Sequence, residues 1–281
     1  MALERHLASV RARIQRSRDA DRWSPTMSDY VGGALARAGF EVRRVPKADK
    51  LHLTHPDLER EFADALALAQ PYTMTSVERM YALWQAVRHI HRTGVAGDVV
   101  ECGVWRGGSS LLAADALRRL GDESRTIWLY DTFEGMSEPT ERDVSLSGDR
   151  IADRWSSLRD DRDDPVLCYA DLPDVRATMA RSGYTADRIR YVQGKVEDTI
   201  PAQAPDSIAL LRLDTDWYES TRHELEQLYP RLAVGGILIL DDYGDWKGAR
   251  DATDEYFAGH PNPPLLQRID QTGRLTVKLC G

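Results

Sequence analysis

Acidic side chains follow two consecutive apolar runs in the second half of the chain. The segment LRLDTDWYEST places Asp214 directly after one predicted strand, and LILDDYG places Asp241 and Asp242 directly after the next. If these strands are neighbours, their ends lie about 4.8 Å apart and the carboxylates converge. Such carboxylates repel each other unless a cation lies among them, and oxygen ligands without His or Cys favour Mg²⁺, with Mn²⁺ or Ca²⁺ as substitutes. The alternative is that Asp241 and Asp242 cap the next helix while Asp214 faces solvent.

A glycine-rich turn follows an earlier apolar run, in the segment ECGVWRGGSS. The predicted strand ends at Glu101, Gly103 opens the turn, and Ser109 begins a helix. Glycine allows a ligand to approach the backbone closely, and a serine with the free amides of a helix start can hold a carboxylate. Because Trp105 stands where a dinucleotide fingerprint needs glycine, the spacing favours a ligand with a carboxylate over one with a pyrophosphate. The alternative is a tight strand-to-helix turn that binds nothing.

Two further polar side chains are weaker candidates. Asp131 ends the predicted strand TIWLYD, where an acid can accept both hydroxyls of a ribose, although an isolated Asp there is more often a helix cap. His223 lies on the helix after Asp214, where a lone His is more often a packing or surface residue. The aromatic residues after the acidic segments either wall an acceptor pocket or belong to the core. They are Trp217, Tyr218, Tyr243 and Trp246.

Short apolar runs alternate with helical patterns through the centre of the chain. The runs DVVEC, TIWLYD, RIRYVQG, SIALLRLD and GGILILDD predict βαβ units and an α/β fold with a mostly parallel sheet. In such sheets ligands bind beyond the carboxyl ends of the strands, near the point where the strand order reverses. The last segments, LLQRID and LTVKLCG joined by QTG, predict a hairpin that completes the sheet.

The chain divides by pattern into two parts. Residues 1–70 contain helical patterns and predict a helical extension that serves as a lid or an oligomer contact, and residues 71–281 predict one α/β domain. That domain opens with a helix for which Thr75 and Glu78 have the spacing of a capping box. The polar stretch 134–165 has no long apolar period, which favours a lid over a mobile insertion.

Composition excludes several classes of protein. The 281 residues carry a net charge of −8 with scattered basic residues, so a nucleic-acid partner is not expected. The three cysteines, Cys102, Cys168 and Cys280, have no CxxC spacing and no nearby His group, which argues against disulfides or zinc and favours a reducing cytoplasm. No apolar run approaches the roughly 20 residues of a membrane span, so neither an anchor nor a signal peptide is expected.

Taken together in this order, ECGVWRGGSS, DTFEGM, LRLDTDWYESTRHELEQLYPRL and GGILILDDYGDWKGAR closely resemble the macrocin O-methyltransferase family. Its members methylate sugar hydroxyls of macrolide and aminocoumarin antibiotics. The likeness runs from about Tyr72 to Phe257. It implies a Rossmann-like class I methyltransferase fold with a seven-stranded sheet, S-adenosyl-L-methionine as cofactor, and dependence on Mg²⁺.

The resemblance also implies roles for individual residues. Asp214 matches a metal ligand and the general base, Asp241 and Asp242 match the other metal ligands, and Thr75 matches a residue that closes over the cofactor. The remaining cofactor contacts that it implies are Glu101, Gly103 and Ser109 for the methionine part, Asp131 for the ribose, and Glu197 and Asp198 for the adenine side. Lys195 stands where some relatives carry an aromatic residue.

The function predicted from sequence is Mg²⁺-dependent methyl transfer to a hydroxyl, with a sugar of a glycosylated natural product as acceptor. A catechol-type phenolic methyltransferase, an NAD-dependent oxidoreductase and a non-catalytic scaffold are the alternatives. The apolar stripe of the first helix packs either on its own core or on a second subunit, so a homo-oligomer is also open.

Overall fold

The computed structural model describes residues 54–158, 161–162 and 164–280. The helical pattern of residues 3–14 lies outside the described residues, whereas the second helical pattern of the extension is confirmed as α1. The helices are α1 (Arg60–Ala69), α2 (Val77–Arg92), α3 (Gly108–Arg119), α4 (Trp155–Leu158), α5 (Leu172–Ala180), α6 (Val196–Thr199), α7 (Tyr218–Leu228) and α8 (Lys247–Ala258). The strands are β1 (Asp98–Cys102), β2 (Ile127–Asp131), β3 (Ile189–Gln193), β4 (Ile208–Leu213), β5 (Leu232–Leu240), β6 (Gln267–Arg268) and β7 (Arg274–Val277).

The strands form one seven-stranded sheet in the order β3-β2-β1-β4-β5-β7-β6. Strands β1 to β5 pair in parallel, and β7 pairs antiparallel with both β5 and β6. The mostly parallel sheet and its closing hairpin are therefore confirmed. Strand order reverses between β1 and β4, so their carboxyl ends form the edge at which ligands bind in such sheets. We call this side the carboxyl edge.

The central strands are apolar because they are buried on both faces. All six residues of β4 are buried, and the last five residues of β5 are buried as well. Parallel strands covered by helices on both sides have continuous apolar sequences of this kind. One residue of β4, Arg212, is charged and nevertheless buried. A buried charge requires partners, and these lie at the carboxyl edge.

The first turn of α2 differs from the prediction by one residue. The N-cap is Ser76, whose side chain accepts a hydrogen bond from Arg79 N at 3.1 Å, so the predicted capping box of Thr75 and Glu78 is wrong. Ser76 has the extended backbone of an N-cap (φ −63°, ψ 160°) and satisfies an otherwise free amide of the first turn. Thr75 is consequently left outside the helix.

The polar stretch predicted as a lid is docked on α7 and α8. Its buried Asp143 accepts hydrogen bonds from Thr140 N at 2.6 Å and from Tyr218 N at 2.8 Å, so it caps α7 from a distant part of the chain. An apolar cluster adds to this anchor. Its buried members are Ile151, Leu158, Leu167 and Trp217. The lid function itself stays a prediction.

Among the described residues, no helix is long and apolar enough to cross a membrane. The longest described helix, α2, has 16 residues and carries charged side chains along its length.

Candidate active site

Acidic side chains meet at the carboxyl edge where β4 and β5 end. Leu213 pairs with Leu240 in the parallel register, so the residues that follow the two strands emerge side by side. Carboxylate oxygens of Asp214, Asp216 and Asp242 lie within 4.8 Å of one another. We call these three residues the acid cluster. The predicted convergence of Asp214 and Asp242 is thus seen in the structure, and Asp216 joins them.

Asp216 was not predicted from the sequence. Its backbone is left-handed (φ 66°), a conformation that Asp tolerates better than most residues, and this turns the side chain back toward the strand end. A sequence signal for Asp216 does exist, because an extended backbone places residues i and i+2 on the same side of the chain, and Asp214 and Asp216 have this spacing.

The electrostatics of the acid cluster suit a divalent cation. Burial raises the pKa of Asp214 and of Asp242, and the neighbouring carboxylates raise both further; Arg212 opposes this at Asp214. Burial is also the main reason that the pKa of Asp216 rises to about 7. Oδ2 of Asp242 is buried without a hydrogen-bond partner among the described residues. Converging oxygens with an orphaned acceptor fit Mg²⁺.

Asp241 points away from the acid cluster and toward two arginines. Its Oδ1 accepts a hydrogen bond from Arg212 Nη2 at 2.5 Å, and its Oδ2 pairs closely with Arg79 Nη1. The structure therefore does not gather Asp214, Asp241 and Asp242 as one group in the way the sequence predicted. Each carboxylate oxygen retains a second lone pair, so these ion pairs do not exhaust the ligand capacity of Asp241.

Arg212 is the buried cation around which this edge is built. Its side chain is 4% exposed, and Nη1 donates to Glu101 Oε1 at 2.5 Å and to Asp214 Oδ2 at 2.7 Å. Nη2 lies 3.3 Å from Thr75 Oγ1. Burial lowers the pKa of Arg212, but Asp214, Asp241 and Glu101 raise it to well above its usual value. The sequence signal that could have identified it is an arginine inside an apolar strand, which must have buried partners.

The end of β1 lies directly beside this cation. Glu101 is buried, and it accepts a short hydrogen bond from Ser110 Oγ in addition to the one from Arg212. Burial raises its pKa, while the same two partners lower it. Gly103 follows with φ 78°, and a Cβ there would lie 2.0 Å from Asp214 O. Only glycine permits this contact between the turn and β4.

Ser109 is buried in the first turn of α3, as the turn-to-helix prediction requires. Asp131, at the end of β2, holds the turn after β1 in place. Its Oδ2 accepts hydrogen bonds from Val104 N at 2.7 Å and Trp105 N at 3.0 Å, and Oδ1 accepts one from Phe133 N at 2.8 Å. Burial raises the pKa of Asp131, and these amides lower it. The carboxylate thus organises the turn; contact with a ribose stays a prediction.

Two predicted cofactor residues lie on the rim of the domain. Glu197 and Asp198 are exposed in the first turn of α6, whose N-cap is Lys195.

His223 is the weaker catalytic candidate. Its Nε2 lies 2.9 Å from the carbonyl oxygen of Ile200, a contact that fits the packing role given as its alternative.

The neighbour of His223 has the more unusual environment. Glu224 is fully buried, and its Oε2 accepts a hydrogen bond from Thr215 Oγ1 at 3.1 Å, directly beside the acid cluster. Its Oε1 has no partner among the described residues, and burial raises its pKa well above the usual range. The sequence reading missed it because its position on an amphipathic helix does not reveal what lies underneath.

The aromatic residues after the acids have mixed roles. Trp217 is buried, donates Nε1–H to Ser137 O at 2.9 Å, and packs edge-on against Trp246 with ring centroids 5.0 Å apart. The hydroxyl of Tyr218 donates a hydrogen bond to Glu255 of α8 at 2.6 Å, and the hydroxyl of Tyr243 donates one to Asp254 of the same helix at 2.7 Å. Both contacts tie the loops that carry the acidic residues to α8.

Comparison with known proteins identifies the family. The model of the macrocin O-methyltransferase (TylF) family matches residues 38–277. The chain is 39% identical to 8-demethyl-8-(2,3-dimethoxy-alpha-L-rhamnosyl)-tetracenomycin-C 4'-O-methyltransferase of Streptomyces olivaceus over 202 residues, which cover 72% of this chain and 74% of that enzyme. It is 36% identical to demethyldecarbamoylnovobiocin O-methyltransferase of Streptomyces niveus, with 73% of this chain and 75% of that enzyme covered.

A solved structure agrees with these relatives. The O-methyltransferase NovP superposes with a TM-score of 0.65 at 33% identity, covering 74% of this chain and 83% of NovP. The predicted family and class I methyltransferase fold are therefore confirmed, and the oxidoreductase alternative is removed. The chain belongs to the macrocin O-methyltransferase (TylF) family and is an O-methyltransferase.

Proposed function

We propose that the enzyme transfers a methyl group from S-adenosyl-L-methionine to a sugar hydroxyl of a glycosylated natural product, with Mg²⁺ held at the acid cluster. The observation that supports it most is the acid cluster itself, where β4 and β5 end beside the reversal of strand order, with an Asp242 Oδ2 that is buried and has no hydrogen-bond partner among the described residues. Asp214 and Asp242 are ligands in this proposal. The family resemblance favours Asp241 as the third, and the geometry offers Asp216.

The cofactor lies between β1 and β2 in this proposal. Glu101, Ser109 and Asp131 line the carboxyl ends of these strands or the helix start between them. The first turn of α3 presents free amides to the methionine carboxylate. Glu197 and Asp198, which are exposed on α6, are available to the adenine side.

Asp214 is the proposed general base. Its Oδ2 is occupied by Arg212, and this leaves Oδ1 for the acceptor hydroxyl. Bound Mg²⁺ supplies Lewis acidity that lowers the pKa of the hydroxyl. The proton of the acceptor hydroxyl passes to Asp214. The acceptor oxygen then forms a bond to the methyl carbon, and the carbon–sulfur bond breaks to release S-adenosylhomocysteine. Holding the reacting atoms about 3 to 3.5 Å apart would contribute on the order of 7 kcal/mol or more.

The proposed acceptor follows from the relatives. The Streptomyces olivaceus enzyme is named for a rhamnosyl tetracenomycin, and the Streptomyces niveus enzyme for demethyldecarbamoylnovobiocin. Trials of glycosides and of free catechols as acceptors would separate the sugar proposal from the catechol alternative. Methylation of catechols with no turnover of glycosides would overturn the sugar acceptor.

The first test is calorimetric titration of metal-stripped protein with S-adenosylhomocysteine and then with Mg²⁺. We expect micromolar cofactor binding and a Mg²⁺ signal in the wild type, and no Mg²⁺ signal in Asp242→Asn. Asp216→Asn and Asp241→Asn form a matched pair, because the one that removes the signal identifies the third ligand. The exposed Glu219→Gln is the control. A Mg²⁺ signal that survives in all three aspartate variants would overturn the metal site.

A further inference from the structure

A carboxylate in the β6–β7 turn holds the first turn of α2. Asp270 Oδ2 accepts a hydrogen bond from Ser76 Oγ at 2.6 Å and forms an ion pair with Arg79 Nε at 3.1 Å. Its Oδ1 accepts hydrogen bonds from Thr272 N at 2.9 Å and Gly273 N at 2.7 Å. Burial raises the pKa of Asp270, but these partners together lower it below the usual value. One side chain therefore orders the turn and the helix start simultaneously.

The same turn also contacts the loop that follows β5. Gly244 N donates to Thr272 O at 2.9 Å, and Arg79, the ion-pair partner of Asp270, pairs with Asp241. The β6–β7 turn, the start of α2 and the acidic end of β5 are thereby joined into one unit. The sequence predicts this segment only as the turn that joins the two strands of a hairpin, and that prediction does not connect it with the active site.

The start of α2 lies where the proposed ligands meet. Thr75 precedes the N-cap Ser76, and its Oγ1 is 3.3 Å from Nη2 of Arg212. The same guanidinium binds Glu101 on the proposed cofactor side and Asp214 in the acid cluster. Because Thr75 lies outside the helix, its position depends on how firmly the following residues are held.

We infer that Asp270 is a positioning residue that fixes the Thr75 segment for cofactor binding; this rests on the proposed function. Asp270 can position this segment because its two oxygens make separate contacts: Oδ1 accepts hydrogen bonds within the turn, and Oδ2 contacts the start of α2. Its side chain is 15% exposed, which allows substitution without opening the core. An amide in its place keeps Oδ1 for the turn, but its nitrogen neither accepts from Ser76 nor pairs with Arg79.

The test is titration with S-adenosylhomocysteine of Asp270→Asn, Ser76→Ala and the double variant, together with the wild type. We expect about a tenfold loss of affinity in Asp270→Asn, the scale of one charge-assisted hydrogen bond. Ser76→Ala should lose less, because the ion pair with Arg79 remains. The double variant should bind at most slightly more weakly than Asp270→Asn alone, since both substitutions break the same contact and Ser76→Ala removes only the N-cap hydrogen bond with Arg79 N in addition.

Asp98→Asn is the matched control. Asp98 also accepts two hydrogen bonds, from Thr126 N and Trp128 Nε1 at 2.9 Å each, but it lies at the opposite end of the sheet. We expect this variant to lower Tm by several degrees without changing cofactor affinity. A purely structural role of Asp270 would give the same pattern as Asp98.

The outcomes are distinguishable. Wild-type affinity in both Asp270→Asn and Ser76→Ala would overturn the inference and leave the proposed function intact. A wild-type protein that binds no S-adenosylhomocysteine would overturn the proposed function, and the inference with it. If Asp270→Asn fails to fold, Ser76→Asp decides, because an aspartate keeps an N-cap acceptor for Arg79 N but cannot donate to Asp270. A loss of cofactor affinity in this variant supports the inference, and unchanged affinity contradicts it.

Discussion

Two sets of carboxylates share the carboxyl edge of the sheet, but they are neutralised differently. Glu101 and Asp241 are each paired with the buried Arg212, and Asp241 also with Arg79. Within the part of the chain that the structure describes, the ion pair between Arg212 and Asp214 is the one that the acid cluster makes, and one buried oxygen of the cluster has no hydrogen-bond partner. Because buried charges need compensation, the first set is balanced by arginines among the described residues, and the second is the set at which we propose that Mg²⁺ binds. This difference in compensation supports the proposed position of Mg²⁺ more specifically than the number of acidic residues does.

Removal of the internal cation should have the largest effect. Arg212→Met leaves Glu101, Asp214 and Asp241 without their common partner, and breaking a buried pair costs about 3 to 5 kcal/mol. Urea unfolding would measure the loss of unfolding free energy. Arg222→Met, at a side chain that is 52% exposed, is the control and should change stability by less than about 0.5 kcal/mol. Equal stability of both variants would contradict the comparison.

Addition of the external cation should have the next largest effect. At a Mg²⁺ concentration about 100 times its Kd, binding to the folded state alone adds about 2.7 kcal/mol to the unfolding free energy. Unfolding in Mg²⁺ and in a chelator would measure this gain, and Asp242→Asn should abolish it. A gain of equal size in that variant would place the cation elsewhere.

In the absence of metal, substitutions of the neighbouring Asp241 and Asp242 should change the unfolding free energy in opposite directions. Asp241→Asn weakens two arginine contacts and should cost about 2 kcal/mol, whereas Asp242→Asn removes an uncompensated charge and should stabilise the protein by about 1 kcal/mol. Chemical unfolding in a chelator would compare the two variants. Destabilisation of similar size in both would show that the two sets do not differ.

A last effect, which only a change of pH reveals, concerns a buried carboxyl with no ion-pair partner among the described residues. The raised pKa of Glu224 means that the folded state takes up a proton that the unfolded state releases above its ordinary pKa of 4.5. Wild-type stability should therefore fall as pH rises from that value toward the folded pKa, by up to about 1.4 kcal/mol per pH unit relative to Glu224→Gln. Unfolding of both proteins between pH 4 and 8 would measure the difference. Parallel pH profiles would mean that Glu224 does not have a raised pKa.

The sequence could predict this architecture because its signals are local. Alternation of apolar runs and helices defines the parallel sheet, and the QTG turn defines the hairpin. The position of Asp214 after a strand end was sufficient to place it at the carboxyl edge. These inferences need only the periodicity of the chain and the rule that parallel strands end on one side.

The rest depends on side-chain direction and on contacts between distant residues. The left-handed backbone of Asp216 and the choice of Ser76 over Thr75 as the N-cap are decided by local geometry that spacing does not encode. Whether the Asp241 carboxylate lies in the acid cluster or against an arginine depends on Arg79, which lies 162 residues earlier in the chain. Propensity cannot predict a competition of this kind between partners.

The capping of α7 by Asp143 constrains any exchange of the predicted lid between relatives. A chimera that exchanges residues 134–165 with those of a relative would exchange this cap as well, and α7 begins immediately after the acid cluster. Gly248 must be considered with it, because a Cβ there would lie 2.6 Å from Asp143 Oδ1. A graft that has its own aspartate at this position, and keeps glycine at 248, would preserve the contact between the loop and α7. A graft chosen by surface residues alone would remove the cap of α7 and loosen the loop that carries Asp214 and Asp216.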